Sequence, residues 1–166
     1  MIELTISDYY KSDEIAIIAG VNGVNGLQSG IFVNDDDKII ILLQKNTSPR
    51  SIMRYPNVWD EDEVGILHYC GTNKGQIKEI RTQNLQSRLN RHVNMAVYPI
   101  HVFSLDPYFK QYTRYMYLGE FSRAKEYDKI VEVDGKNVYS FGLRSKNVDR
   151  IHNHITEIIS SFRNKN

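Results

Sequence analysis

The chain has 166 residues, of which 41% are hydrophobic and 25% charged, with a formal charge of +1. That length suits one domain with a core of its own, and the balance excludes the disordered class; a charge near zero is neutral on nucleic acid, which needs only a local basic surface. The one cysteine, Cys70, excludes an internal disulfide and a multi-cysteine zinc site, and it suits a reducing compartment.

The opening "MIELTISDYYKSDE" has no basic segment followed by an apolar run, and no stretch approaches bilayer-spanning length, so a cytoplasmic location without membrane contact is expected. Short runs rich in β-branched and aromatic residues follow: "EIAIIAGV", "SGIFV" and "KIIILLQK", then "GILHYCG", "VYPIHVFSL", "YMYLGEF", "DKIVEV" and "NVYSFGL". Gly, Asn, Asp and Pro separate them, and all are expected to be strands. Between the first two, "VNGVNG" reads as a turn or loop, because no P-loop lysine pattern follows it. Asp134-Gly135 marks a hairpin between the last two.

Two segments read as helices. From Gln76 to Val93 the apolar residues Ile77, Ile80, Leu85 and Leu89 form an imperfect stripe. From Asn147 to Arg163, Val148, Ile151, Ile155, Ile158 and Phe162 recur at 3-4-3-4 spacing, the pattern of an amphipathic helix with Asn147 placed to cap it. The expected class is α+β, mainly β, as a single domain over residues 1–166 that closes on this C-terminal helix. The ending "RNKN" also permits a lead into a further domain of a larger protein.

Several chemistries are weighed and set aside. "HNH" at His152 to His154 spells a nuclease motif, but consecutive helical residues point in different directions, and both histidines are expected on exposed flanks. His68, Cys70, His92 and His101 fall into no metal-ligand spacing, so neither a metal nor a cofactor is expected. His68 and Cys70 share one face of a strand and Tyr69 the other; a Cys–His nucleophilic pair would rest on that spacing alone. Asp60, Glu61, Asp62 and Glu63 are four consecutive acids, which more often mean an exposed loop than a general acid and base.

What remains is an aromatic–acid–aromatic stretch, "YPNVWDEDEVGILHYCGTNKG", followed by the basic segment Lys74 to Arg91. A flipped nucleobase needs flat faces to stack on and a polar group at its edge, and cytosine offers an amino donor for which a carboxylate is the natural acceptor. Tyr55 or Trp59 with Tyr69 would supply the faces and Asp60 the acceptor. The plain alternative is that Trp59 and Tyr69 are core residues and the acids are solvated.

Taken together, "WDEDEVGILHYCGTNKGQ", Asn84-Leu85, "YPIHVFSL", "YMYLGEF" and "VDGKNVYSFGL" resemble the SRA (SET- and RING-associated) family, above all its bacterial branch fused to modification-dependent restriction nucleases. The resemblance spans about Tyr55 to Leu143. It implies a curved PUA-like β-barrel flanked by helices, which binds duplex DNA and holds a flipped 5-methyl- or 5-hydroxymethylcytosine between aromatic rings. By position, Tyr69 matches the stacking tyrosine and Asp60 the acid that reads the base edge; Trp59 or Tyr55 would oppose Tyr69, and backbone near Gly71 would line the pocket. Lys74, Lys78, Arg81, Asn84, Arg88 and Arg91 are the expected backbone contacts. No catalytic residue is expected; a nuclease or ATPase would lie on another domain or subunit of a restriction system. The family's "GDQ", "YTG" and "DDG" are here Gly75-Gln76, Tyr69-Cys70-Gly71 and Glu63-Val64-Gly65, which leaves the modification open. The alternatives are a PUA-like reader of modified adenine or RNA, and an enzyme built on the acidic cluster.

Overall fold

A computed structural model describes residues 3–21, 30–45, 57–70, 85–105, 114–133 and 135–164. In chain order the elements are β1 (Tyr9–Lys11), α1 (Ser12–Ala19), β2 (Ile31–Asn34), β3 (Ile39–Gln44), β4 (Val58–Trp59), β5 (Ile66–Cys70) and α2 (Arg88–Met95). There follow β6 (Ile100–Leu105), β7 (Arg114–Arg123), a 3-10 turn at Lys125–Tyr127, β8 (Lys129–Val133), β9 (Lys136–Ser145) and α3 (Val148–Asn164). Nine strands form one sheet in the order β2-β3-β6-β7-β9-β5-β4, with β1 added to β7 and β8 to β9. Only β3 with β6 runs parallel among the described pairings.

The unbroken apolar run "IIILL" of β3 is explained by cover on both faces, since parallel-paired strands buried on both sides lose the usual alternation. Ile40 and Leu42 point into a core closed by Ile151, Ile155 and Ile158 of α3 and Val93 of α2. Ile39, Ile41 and Leu43 point into a second core under Ile15, Ala16, Ile18 and Ala19 of α1.

Side chains join the two ends of the sheet path. The Tyr69 hydroxyl on β5 reaches the carbonyl oxygens of Gly30, at 2.9 Å, and Leu43 on β3, at 3.0 Å. Gln44 Nε2 donates to the Asn57 carbonyl at 3.0 Å, and Asn57 Oδ1 accepts the Cys70 N–H at 2.7 Å. These bonds curl β3 toward β4 and β5.

Three expectations are corrected. "EIAIIAGV" is helical in its first part, as α1: a short apolar run carries no period that separates a strand from a buried helix, and here the i, i+1, i+3, i+4 burial of Ile15, Ala16, Ile18 and Ala19 decides. The helix expected from Gln76 is described only as α2, because Leu85 and Gln86 form a turn before it; residues 76–84 lie outside the described residues. His154 is buried rather than flanking, with Nε2 3.1 Å from Ser104 Oγ. The C-terminal helix, the β8–β9 hairpin and the other strands stand where the pattern put them. "VNGVNG" falls largely outside the described residues.

Candidate nucleic-acid interface

The acidic stretch is the loop of a hairpin. β4 and β5 pair with Val58 opposite His68 and Trp59 opposite Leu67, and Asp60 to Gly65 connect them. Asp60 holds this loop: its Oδ1 accepts the backbone N–H groups of Asp62 and Glu63, each at 2.9 Å, and its own N–H donates to the Ile66 carbonyl. Gly65 completes the turn at φ +99°, where a Cβ would also stand 2.8 Å from Val148 of α3.

The second oxygen of Asp60 is taken by His68. His68 Nε2 lies 2.8 Å from Asp60 Oδ2, with the histidine side chain 3% and the aspartate side chain 20% exposed. Burial pushes the His68 pKa down, against the pull of Asp60, so the ring is neutral and its Nε2 carries the proton that Asp60 accepts. Partial burial works against the charge on Asp60, but the bonds from His68, Glu63 and Asp62 outweigh it and hold the carboxyl below its ordinary value. The result is an ionised carboxylate fixed by three hydrogen bonds.

Asp60 stands in the wall of a cavity of about 360 Å³ with Val58, Trp59, Glu61, Asp62, Lys129 of β8, and Ile158 and Ile159 of α3. Its walls mix apolar surface with a few convergent charges, the composition of small-molecule sites. Two buried polar atoms of the hairpin strands have no partner among the described residues, Trp59 Nε1 and His68 Nδ1.

The aromatic rings sit deeper than a stacking platform. Trp59 is 5% and Tyr69 2% exposed; both belong to the core closed by α3, and Trp59 packs against Phe121 with ring centres 6.0 Å apart. Tyr55, Gly71, Lys74, Lys78, Arg81 and Asn84 lie outside the described residues. Arg88 and Arg91 are exposed on α2, where Arg88 pairs with Asp35. Asp35 also accepts the Tyr98 hydroxyl at 2.8 Å, and this bond, with the Arg88 charge, keeps its carboxyl below the ordinary value.

Cys70 is buried, and burial pushes its thiol up to about 12, so it is a thiol at neutral pH and not a nucleophilic thiolate. Among the described residues no three His, Cys, Asp or Glu side chains are grouped to hold a metal ion. No helix among them is long and apolar enough to cross a membrane.

Beside the site a second buried network fixes the neighbouring strands. Arg123 of β7 binds Asp128 through two bonds of 2.6 and 2.7 Å and donates to the Asn94 and Gly142 carbonyls, while Asp128 accepts the Gly142 N–H at 2.7 Å and the Tyr139 hydroxyl. Gly142 is the cross-strand neighbour of His68, and the 3-10 turn lies against it so closely that a Cβ there would be 2.4 Å from the Ala124 carbonyl.

No protein-family model matches the chain, and no curated protein matches it by sequence. Its fold does match solved structures. The SRA domain of SUVH5, solved with methylated CHH DNA, aligns at a TM-score of 0.55 and 20% identity over 86% of this chain and 88% of that one. The modification-dependent restriction endonuclease TagI aligns at 0.53 and 18% identity over 86% of this chain and 50% of that one. The DNA recognition domain of the cytosine modification-dependent restriction endonuclease LpnPI aligns at 0.52 and 18% identity, over 87% and 74% respectively.

Proposed function

The fold is SRA-like, α+β and mainly β, and from it we propose that the chain is a specificity module that binds duplex DNA carrying 5-methyl- or 5-hydroxymethylcytosine. The base leaves the stack and enters the pocket beside the β4–β5 hairpin. Asp60 carries this reading: an ionised acceptor, locked by three bonds at a cavity wall, suits the exocyclic amino group of cytosine. SUVH5 and LpnPI, whose folds it shares, are described with methylated DNA and with cytosine modification.

Trp59, Tyr55 and Tyr69 are the candidate stacking rings, with Gly71 in the pocket lining. Because Trp59 and Tyr69 are packed in the core, base entry on this reading includes a shift of at least one ring or a face supplied by Tyr55. Lys74, Lys78, Arg81, Asn84, Arg88 and Arg91 hold the backbone, and Arg88 exchanges Asp35 for a phosphate. Cleavage belongs to a nuclease or ATPase on another domain or subunit, as the restriction-enzyme neighbours suggest.

The test is competition among duplexes carrying cytosine, 5-methylcytosine, 5-hydroxymethylcytosine or N6-methyladenine. Preference for at least one modified cytosine is expected; equal affinity for all four contradicts the proposal, and preference for the modified adenine moves the site to the other amino-bearing base. Turnover of modified DNA with divalent metal, lost in Asp60→Ala, would make the chain an enzyme.

A further inference from the structure

Among the described residues that line the cavity, Lys129 is the one cation, set among the carboxylates of Asp60, Glu61 and Asp62. Its backbone is fixed. The preceding Asp128 is held by Arg123, Tyr139 and the Gly142 N–H, and the Lys129 carbonyl accepts the Ser140 hydroxyl at 3.1 Å across the β8–β9 ladder. The residue is exposed, and its ammonium enters no ion pair among the described residues. The neighbouring arginines are engaged, Arg123 with Asp128 and Arg144 with Glu63 and Glu126. Lys129 is a charge pinned at its backbone and free at its tip, within reach of whatever fills the cavity.

A flipped nucleotide has two parts with opposite needs. The base is uncharged and can leave water for hydrogen bonds and apolar contact; the phosphodiester is an anion whose burial is costly, so it stays at the mouth. The cavity walls are graded in the same way. Ile158 is buried and the Asp60 side chain is 20% exposed, whereas Glu61, Asp62 and Lys129 are exposed. A phosphate at that mouth meets like charge on Glu61 and Asp62, and without a cation beside them the acidic loop would oppose entry of the nucleotide. An ammonium is a compact point charge with three donors, suited to a phosphate oxygen.

We propose that Lys129 binds the phosphate of the nucleotide whose base occupies the cavity, and so adds affinity when that base has left the stack. This rests on the reading of the cavity as a modified-cytosine pocket. It differs from the contacts of the basic segment, which any duplex engages. Asp60 takes the base and Lys129 its phosphate, and the pair makes flipping a condition of tight binding.

The experiment measures affinity of the wild-type chain and of Lys129→Gln, over a range of salt, for duplexes with and without the modified cytosine that the wild type prefers. Lys129→Gln is expected to bind the modified duplex about fivefold more weakly, the upper range for an exposed ion pair, with a smaller loss on the unmodified duplex. The salt slope for the modified duplex is expected to flatten by about one. A methylphosphonate, which is uncharged, in place of the phosphate on either side of the modified cytosine tests the contact itself. At one of the two positions it is expected to cost the wild type about fivefold and Lys129→Gln almost nothing. No loss in Lys129→Gln, equal losses on the two duplexes, or methylphosphonate losses that are the same in both proteins overturn the role of Lys129 and leave the wider reading intact. Wild-type binding unchanged by methylphosphonate at both positions also overturns it, and that series does not depend on the variant folding. Wild-type affinity that is the same with and without modification overturns both readings.

Discussion

The carboxylate of Asp60 is bound three times within the chain before any ligand arrives, so its geometry is set by the hairpin and not by the DNA. Asp60→Asn keeps the side chain's size but replaces the anionic acceptor, and modified-duplex affinity is expected to fall about ten- to a hundredfold, the range for a hydrogen bond to a charged group, in a titration at fixed salt. Tyr69 separates ring from hydroxyl in the same way. Tyr69→Phe retains a face for stacking and removes the bond to Gly30 and Leu43, so it is expected to lower stability by about 1 kcal/mol in urea unfolding, with base preference retained. His68 links the site to pH. Its folded pKa lies below the usual 6.5, so the unfolded chain binds more protons between the two values: stability is fully present above about 6.5 and is lost as pH falls through that window toward the folded value. The unfolding midpoint is expected to drop on acidification below pH 6.5, and less steeply in a folded His68→Phe variant. Asp60 was legible in the sequence, as the acid after a tryptophan in an aromatic frame. Its histidine was not: the register that sets Val58 opposite His68, and folds the loop back over the ring, is a property of the hairpin and not of spacing along the chain.

At the scale of elements, the β4–β5 hairpin and the Arg123–Asp128 network hold the site from two sides. Gly65 serves the turn through its φ of +99° and its contact with Val148, so Gly65→Ala is expected to destabilise the fold and to weaken DNA binding through Asp60; thermal unfolding and affinity would fall together. Removing Asp128 strands the Arg123 guanidinium, whose side chain is only 7% exposed, and Asp128→Ala is expected to cost about 3–5 kcal/mol by denaturant titration. α3 could be read from its 3-4-3-4 apolar spacing because one clean stripe faces one core. α1 could not. Its isoleucines form a short run with no polar interruption, and only the second core, against β3 and Phe103, shows why they wind as a helix.

For the molecule as a whole, a formal charge of +1 concealed an uneven distribution, acidic on the β4–β5 loop and basic from Lys74 to Arg91. Binding through that segment is expected to weaken steeply with salt, with log affinity falling against log salt by roughly 0.9 per phosphate contact, and Arg91→Ala is expected to flatten the slope by about one. The strand-rich barrel was legible because most runs carried β-branched and aromatic residues between turn signals; the closure of the sheet through Tyr69 and Gln44 was not, since those bonds join residues far apart in the chain. The most direct measurement of the central claim is a structure of the chain with duplex DNA carrying one 5-hydroxymethylcytosine. The account predicts that base out of the stack, with its amino group within hydrogen-bond distance of Asp60; a modified base still stacked and paired in the duplex, with Asp60 bound only to its own loop and His68, would contradict it.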